Sequence, residues 1–367
     1  MTTPHQPGAL IAMSGGVDSS VAAYLMQQQG CRCLGATMRL YRNEDLGQSA
    51  YHTCCSQQDI EDASEVAFQL DIPYEVVDFT PEFQTQIIEK FIRTYEAGGT
   101  PNPCIDCNRY MKFNRLLELA QQRGLDYVVT GHYARIVQDP DTGRFLLKKA
   151  LDASKDQSYV LYNLTQAQLA HTRFPLGALH KTQVRELAEQ LHFINARKHD
   201  SQDICFVPDG DYAAFMEQYT GKHYPPGDFL DLNGHPVGQH RGAVRYTCGQ
   251  RKGLGLSLGE SVYVCRKDME HNTVTVGPES ALYSQTLTAD DWNWISIPRL
   301  ESPMRVKAKT RYRQAEQWAT VSPVDDTRAK VVFDDPQRAI TVGQAVVLYD
   351  GDTVVGGGTI LETGNDN

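Results

Sequence analysis

The chain has 367 residues, of which 41% are hydrophobic and 22% are charged, and its formal net charge is −10. This length and composition predict a globular protein with a sizeable core and two or three domains. No apolar run approaches the length of a membrane span, so no membrane-spanning helix is predicted. The acidic balance argues against non-specific nucleic-acid binding while allowing a local basic surface.

Short apolar runs alternate with helical patterns from residue 10 to about residue 200. This alternation is typical of a parallel sheet with helices on both faces, so we predict a Rossmann-like α/β domain. Ligands are expected at the carboxyl ends of its strands, where three segments lie: residues 14–19, the segment after Met38, and Gly131-His132. The predicted strands are 10–13, 33–38, 74–79 and 127–130, and the predicted helices are 21–26, 83–95, 113–120 and 182–191.

After Cys205 the pattern changes to short runs separated by glycines and prolines. A helix at 211–219, a hairpin turn at Asn233-Gly234 and strands within 241–265 and at 273–277 indicate a small β-rich domain. The rest predicts an antiparallel barrel with strands at 304–313, 317–321, 329–333, 345–349 and 354–361. We therefore predict three domains, at residues 1–207, 208–280 and 281–363.

A glycine-rich loop, Ser14-Gly15-Gly16-Val17-Asp18-Ser19-Ser20, follows the first strand. Adjacent glycines let the backbone approach a ligand, and the serine hydroxyls and helix-start N–H groups suit a phosphate. It is not a Walker A loop, because it has no lysine. A tight turn with a serine helix cap is the structural alternative. The stretch resembles the pyrophosphate-binding loop of the N-type ATP pyrophosphatase superfamily, whose members split ATP between the α- and β-phosphates.

Two distant stretches carry cysteines in settings that suit chemistry. Cys104 and Cys107 follow two prolines and are three residues apart, so they share one face at a helix start. The helix terminus together with Arg109 and Lys112 would favour the thiolate form. Cys205 supplies a third thiol far along the chain.

Three interpretations of these thiols remain open: buried structural cysteines, a structural zinc site, and sulfur transfer in which one cysteine carries a sulfane sulfur and another resolves it. The zinc interpretation lacks a second C-x-x-C pair. We predict packing roles for Cys31, Cys33, Cys54, Cys55, Cys248 and Cys265. Nine cysteines without a visible export signal predict reduced thiols in the cytoplasm.

Basic residues recur at every second position between residues 305 and 313. On a strand, alternate residues point to one side, so this spacing predicts a cationic face suited to RNA phosphates, with a solvated surface as the alternative. The five residues are Arg305, Lys307, Lys309, Arg311 and Arg313.

Together these segments resemble one family nearly end to end, the bacterial type of tRNA-specific 2-thiouridylase. Apart from the loop, the matching motifs are Thr100-Pro101-Asn102-Pro103 through Cys107-Asn108, Thr130-Gly131-His132-Tyr133-Ala134-Arg135, Lys155-Asp156-Gln157-Ser158-Tyr159, Asp203-Ile204-Cys205-Phe206, residues 246–255 and Arg311-Tyr312-Arg313. The resemblance implies an adenine nucleotide alpha hydrolase-like catalytic domain followed by two tRNA-binding domains.

The resemblance also implies a reaction. ATP, with Mg²⁺, adenylates the O2 oxygen of a wobble uridine in a bound tRNA, and sulfur then displaces AMP. The residues implied to contact ATP are Ala12, Met13, Ser14, Gly15, Gly16, Val17, Asp18, Ser19, Met38 and Gly131. Those implied to contact tRNA are Asn102, Pro103, Cys104, His132, Lys155, Asp156, Gln157, Arg311, Tyr312 and Gln344.

Sulfur is implied to arrive from a donor protein, ultimately a cysteine desulfurase, as a persulfide on Cys205. Cys107 is implied to act as the nucleophile or resolving thiol, closing a transient disulfide with Cys205. A cytoplasmic monomer is the simplest expectation, and no metal site of the protein itself is predicted.

One departure from the family leaves the mechanism open. Many members carry an aspartate, thought to be a general base, where this chain has Cys104, and Asp106 is the nearest substitute. Cys104 also makes a third thiol with Cys107 and Cys205, so the three could hold an iron–sulfur cluster. The persulfide relay is favoured over the cluster.

Two other functional classes remain as alternatives. Another adenylating pyrophosphatase, acting on a small molecule, would not need the basic face or the paired thiols. A non-catalytic RNA-binding module would tolerate serine at both Cys107 and Cys205 and would consume no ATP.

Overall fold

The computed structural model describes residues 6–41, 57–199, 204–207 and 209–364. These residues form two compact units, one within Met1–Ile88, Pro103–Gly210 and Gly351–Val354, the other within Glu89–Asn102, Asp211–Asp350 and Val355–Asn367. The predicted pair Cys54-Cys55 and Asp203 lie outside the described residues. Within the described part of the chain, no helix is both long and apolar enough to cross a membrane.

The first unit is built on a parallel sheet, as predicted. Its strand order is β3-β2-β1-β4-β7. In the central strand, Ala9, Leu10 and Ile11 have no exposed surface. Because both faces of this strand are buried, its sequence is a continuous apolar run. The strands of this unit are β1 (Gly8–Ala12), β2 (Arg32–Arg39), β3 (Tyr74–Asp78), β4 (Tyr127–Val129), β5 (Ala134–Gln138), β6 (Phe145–Lys149) and β7 (Thr172–Arg173). Strands β5 and β6 form an antiparallel hairpin that the sequence patterns did not predict.

Helices connect and cover these strands, except the helices at Glu89–Glu96 and Tyr212–Thr220, which belong to the second unit. In chain order they are α1 (Val17–Gln28), α2 (Gln57–Gln69), α3 (Thr80–Phe83), a π-helix (Gln84–Ile88), α4 (Glu89–Glu96), α5 (Pro103–Asp106), a π-helix (Cys107–Arg115), α6 (Leu116–Gln122), a 3₁₀ helix (Ser158–Leu161), α7 (Gln166–Ala170), α8 (Lys181–Gln190) and α9 (Tyr212–Thr220). The predicted helices at 83–95, 113–120 and 182–191 match these elements, although wider π-turns interrupt the first two.

The second unit contains a small central sheet of order β10-β11-β8-β9. Its strands are β8 (Gly227–Leu230), β9 (Pro236–His240), β10 (Tyr263–Asp268) and β11 (Thr273–Gly277). Strands β8 and β9 form the hairpin predicted at Asn233-Gly234. The strands predicted within 241–265 were wrong except at the last residues, because 3₁₀ and loop structure fills 241–262. Positive φ angles at Gly242, Gly249, Gly253, Gly255 and Gly259 break any extended run there.

The rest of this unit is an antiparallel barrel, as predicted. Its strands are β12 (Tyr283–Trp294), β13 (Met304–Lys309), β14 (Gln317–Pro323), β15 (Ala329–Arg338), β16 (Ala345–Asp350) and β17 (Thr353–Thr363). Strand β12 pairs with both β15 and β17, which closes the barrel. Strand β12 was not predicted, because Asp290 and Asp291 interrupt its apolar alternation.

Candidate active site

The phosphate loop joins β1 to α1 through a turn that requires glycine. Gly15 has φ of +70°, and a Cβ atom there would lie 2.4 Å from the Asp59 carbonyl oxygen. A Cβ atom on Gly131, after β4, would lie 2.8 Å from the Asp18 carbonyl carbon. The loop is therefore packed between the start of α2 and the end of β4, with the N-terminus of α1 directly behind it. A glycine turn at a helix N-terminus suits a phosphate, because the free N–H groups of the helix start can donate to its oxygens.

The serine hydroxyls of the loop mainly shape the turn. Ser19 Oγ donates to the Gly16 carbonyl oxygen at 2.9 Å and accepts from the Ser14 N–H at 3.2 Å. Ser20 is fully buried, and its hydroxyl also donates to the Gly16 carbonyl oxygen, which argues against the phosphate contact expected from Ser20. Ser14 is exposed at the tip, where it remains available to a ligand.

Asp18 is held by two residues that the sequence analysis did not assign. Lys181 Nζ donates to both Asp18 carboxylate oxygens, at 2.7 and 2.8 Å, and the Tyr133 hydroxyl donates to Oδ1 at 2.8 Å. Lys181 is the first residue of α8, where the helix dipole disfavours a cation. The ion pair with Asp18 offsets that unfavourable position.

The first cysteine pair lies on one helical segment with different exposures. Cys104, on α5, is exposed, Cys107 at the start of the π-helix is half-buried, and Asp106 between them is 8% exposed. Cys104 is therefore presented to a substrate and Asp106 is not, which weakens the case for Asp106 as a general base.

Two buried asparagines clamp this segment to the chain that follows the Lys155-Asp156-Gln157 motif. The Asn108 amide donates to the Val160 carbonyl oxygen, and the Asn163 amide donates to the Ile105 carbonyl oxygen, each at 2.8 Å. Both side chains are almost fully buried. The backbone around Cys107 is consequently held from two directions.

The Cys205 segment is attached to the same helical region as Cys107. The Tyr41 hydroxyl donates to the Cys205 carbonyl oxygen at 2.7 Å, and Phe206 packs edge-on against Phe83 with ring centroids 5.7 Å apart. Helix α5, which carries Cys104, packs against the π-helix Gln84–Ile88 that directly follows Phe83. The fold thus brings both cysteine segments onto one scaffold, residues 80–88.

No disulfide occurs among the cysteines of the described residues. In the same residues, no three His, Cys, Asp or Glu side chains are arranged to hold a metal ion. Cys104, Cys107 and Cys205 are therefore not gathered into a metal-ligand set within the described residues, and the persulfide relay and the cluster both stay predictions.

The cysteines predicted to be packing residues differ in environment from the candidate catalytic ones. Burial raises the pKa of Cys33 to about 11, and it raises the pKa of Cys265 to about 11 as well. Burial also raises the pKa of Cys31. A thiol with so high a pKa stays protonated at neutral pH and is a poor nucleophile, which supports the packing role.

The tRNA-contact candidates of the first unit have structural partners. His132 is buried between Phe113 and Phe174, its Nδ1 lies 2.7 Å from Thr130 Oγ1, and burial together with Lys112 lowers its pKa well below the usual value. The imidazole is therefore neutral at physiological pH.

The Lys155-Asp156-Gln157 motif is folded back on its own hairpin. Asp156 accepts from the Ala150 N–H, and Gln157 Oε1 accepts from the Tyr133 N–H. These contacts hold the motif in place, and a tRNA contact from it stays a prediction.

In the second unit, the basic strand face is shorter than predicted. Strand β13 ends at Lys309, because Gln314 Oε1 accepts from both the N–H and the hydroxyl of Thr310 at 2.8 Å and turns the chain. Only Arg305, Lys307 and Lys309 share the strand face; the prediction was wrong for Arg311 and Arg313. The surface that remains includes Trp318, 51% exposed, with Lys307 Nζ 5.2 Å and Arg305 Cζ 5.0 Å from its ring.

Arg311 and Gln344 make contacts inside this unit. The Arg311 guanidinium donates to the carbonyl oxygens of Ala339 and Cys248, at 2.8 and 3.2 Å, and to Thr341 Oγ1 at 3.1 Å. Gln344 Nε2 donates to the Thr100 carbonyl oxygen at 2.9 Å, just before the partly exposed Asn102.

Comparison with known proteins covers almost the whole chain. Residues 8–209 match the family described as tRNA methyl transferase HUP domain, residues 213–278 match the tRNA methyl transferase PRC-barrel domain, and residues 284–360 match the aminomethyltransferase beta-barrel domain. Proteins named tRNA-specific 2-thiouridylase MnmA are 51% identical to this chain: over 352 residues in Acetivibrio thermocellus (96% of this chain, 98% of the relative), 354 in Heliobacterium modesticaldum (96% and 92%) and 361 in Symbiobacterium thermophilum (97% and 93%).

Proposed function

This chain belongs to the family of tRNA-specific 2-thiouridylases, and from that premise we propose how its residues carry out the reaction. It is a tRNA sulfurtransferase that uses ATP to introduce 2-thiouridine into tRNA. The observation that carries the mechanism is that both cysteine segments are mounted on residues 80–88, in the unit that also contains the phosphate loop.

Adenylation is assigned to the phosphate loop. The turn at Gly15 and the N-terminus of α1 bind the β- and γ-phosphates, which leave as pyrophosphate while the α-phosphate is transferred to O2 of the wobble uracil. Mg²⁺ enters with ATP as part of the substrate, held by phosphate oxygens. Asp18 is already paired with Lys181, so its role is to fix the loop.

Sulfur transfer is assigned to the two thiols. A donor protein that carries a persulfide, itself charged by a cysteine desulfurase, passes the terminal sulfur to Cys205. That sulfur attacks C2 of the activated base, and AMP leaves with the former O2 oxygen. The Cys107 thiolate then attacks Cys205 Sγ, which breaks the S–S bond and leaves the electron pair on the sulfur bound to C2. The resulting Cys107–Cys205 disulfide is reduced by a cellular dithiol before the next turnover.

Recognition of tRNA is assigned to both units. Exposed Cys104 and neighbouring Asn102 and Pro103 are assigned to the target base, with His132 and the Lys155-Asp156-Gln157 motif as further contacts. Tyr312, exposed beside Arg311, and the cationic surface around Trp318 would contact phosphates and bases of the RNA.

The test is nucleoside analysis of tRNA after anaerobic incubation with ATP and a donor protein that carries a persulfide. Wild-type protein is expected to form 2-thiouridine together with AMP and pyrophosphate. Absence of thiouridine would overturn the central claim.

The cysteine variants test the sulfur route. Cys107→Ser and Cys205→Ser are each expected to abolish thiolation while tRNA binding persists, because the hydroxyl can neither carry nor resolve a persulfide. Cys265→Ser is the matched control, since its half-buried thiol should be dispensable. Thiolation that survives in either of the first two variants would contradict the relay.

A further inference from the structure

Tyr133 connects the phosphate loop to the segment that carries the Lys155-Asp156-Gln157 motif. Its hydroxyl donates to Asp18 Oδ1 at 2.8 Å. Its backbone is paired with Gln157 in both directions: the Gln157 N–H donates to the Tyr133 carbonyl oxygen, and the Tyr133 N–H donates to Gln157 Oε1, each at 2.9 Å. Tyr133 is 2% exposed, so this connection runs through the interior of the unit.

The other partner of Asp18 is attached to the same segment. Lys181 Nζ donates to both Asp18 carboxylate oxygens, and the Lys181 backbone N–H donates to Asp152 Oδ2 at 3.0 Å. Asp152 lies just before the motif in the chain. The Asp18 carboxylate is thus held from two sides, and both of its partners are themselves bonded to residues within 152–157.

We propose that Tyr133 is a positioning residue for adenylation, because it fixes the phosphate loop relative to the segment assigned to tRNA. This inference rests on the proposed function, in which the loop binds the departing pyrophosphate and the Lys155-Asp156-Gln157 motif contacts the RNA. Tyr133 is assigned no contact with ATP or with the base. It acts through its hydrogen bonds with Asp18 and Gln157.

Adenylation explains why such a link is needed. The reaction joins two separately bound substrates, and a displacement of about 1 Å between reacting groups can cost on the order of 100-fold in rate. A lysine ammonium is a point charge on a flexible stem, so Lys181 alone fixes the direction of the Asp18 carboxylate poorly. The Tyr133 hydroxyl is carried on a rigid, buried ring. Gly131, just before Tyr133, also packs against the Asp18 backbone, so the end of β4 meets Asp18 at both backbone and side chain.

The main test is Tyr133→Phe, which removes the hydroxyl and keeps the ring and the backbone contacts with Gln157. With ATP and tRNA both saturating, kcat for pyrophosphate release on tRNA is expected to fall about 10-fold, while the KM for each substrate stays within about twofold of the wild-type value. Loss of alignment lowers kcat, whereas a loosened binding site would raise KM. A normal kcat, or a loss confined to KM, would overturn the proposal.

The matched control is Tyr224→Phe in the second unit. The Tyr224 hydroxyl donates to Glu96 Oε1 at 2.9 Å, and Lys222 Nζ donates to the same oxygen at 2.6 Å. Glu96 therefore has the same two kinds of partner as Asp18. Tyr224→Phe should leave kcat unchanged, and an equal loss of kcat in the two variants would contradict a specific role for Tyr133.

A double-mutant cycle tests whether Gln157 acts on the phosphate loop through Tyr133. Gln157→Met removes the side-chain contact with the Tyr133 N–H and is expected to lower kcat about threefold. In Tyr133→Phe/Gln157→Met, kcat should lie within about twofold of the Tyr133→Phe value, because the link is already broken. Losses that multiply would contradict the connection.

Two further outcomes are distinguishable. If Tyr133→Phe does not fold, Gln157→Met carries the test, and a normal kcat in that variant overturns the proposal. Failure of the proposed function looks different, because wild-type protein would then release no pyrophosphate when tRNA is added. Failure of the positioning role leaves wild-type protein and Tyr133→Phe equally active.

Discussion

Charged side chains are used in opposite ways by the phosphate-loop unit and by the C-terminal barrel. In the first, Lys181 and Lys198 end on carboxylates that are partly or almost fully withdrawn from water. In the barrel, Arg305 pairs with Asp334 at the surface and Arg313 is exposed. The first arrangement fixes the positions of the segments that the ion pairs join. The second leaves positive charge at the surface, where a polyanion can reach it.

The difference follows from the solvent around each pair. Removing one partner of a buried ion pair leaves an uncompensated charge and costs about 3–5 kcal/mol, whereas exposed pairs contribute about 0–1 kcal/mol and are screened by salt. A site that must hold pyrophosphate and a thiol needs the first kind. A surface that must bind and release RNA suits the second.

The largest expected effect comes from the phosphate loop. Gly15→Ala should destabilise the protein by more than about 3 kcal/mol and impair ATP use, because the new methyl group meets both a positive φ and the Asp59 backbone. Gly143→Ala is the matched control, with φ of +71° and open space, and should cost only about 1 kcal/mol. Denaturant unfolding of the two variants measures the difference; equal costs would show that the close contact is unimportant.

Next in size is the partly buried pair at Asp18. Lys181→Met should cost about 2–4 kcal/mol, since Asp18 would lose its cation and keep the neutral Tyr133 hydroxyl in a site that is mostly withdrawn from water. Arg123→Met, which breaks the more exposed pair with Glu75, should leave the unfolding free energy nearly unchanged. The free energies of unfolding of the two variants measure this difference. Similar losses of stability in both would contradict the contrast between partly buried and surface ion pairs.

A smaller effect tests the contrast within the barrel itself. Arg311→Ala loses three hydrogen bonds and should cost about 1–3 kcal/mol, while Arg313→Ala, two residues away and exposed, should stay within about 0.5 kcal/mol. Arg313→Ala should instead reduce the salt dependence of tRNA binding by about one unit of slope. A stable Arg311→Ala variant with a changed salt slope would reverse the two roles.

The smallest effect concerns the packing thiols. Cys33 and Cys265 should resist alkylation at pH 8 and react only as the pH approaches their raised pKa of about 11, since the thiolate is the nucleophile. Exposed Cys104 serves as the internal reference in a pH series read by mass spectrometry. Rapid labelling of Cys33 at pH 8 would contradict the burial seen here.

Much of the fold could be predicted from local pattern. The central strands of the parallel sheet were found within a few residues, because strands buried on both faces are apolar throughout. Strand β13 was predicted too long, because the alternation of basic and other residues continues into a turn. Only the contact between Gln314 and Thr310 reveals that turn. The strands predicted in 241–262 were wrong for a related reason. Ala243, Val244 and Leu254 are buried as strand residues would be, but they lie in loop and 3₁₀ structure.

By itself, the sequence determined the family and the candidate residues, which are the phosphate loop and the cysteines at 104, 107 and 205, because these depend on residue type and short spacing. Only the tertiary structure decided which residues support those candidates. Lys181 reaches Asp18 across 163 positions, Tyr41 reaches Cys205 across 164, and Lys198 reaches Asp59 across 139. No local pattern encodes such partners, because which side chains meet depends on the order in which the strands and helices between them are arranged.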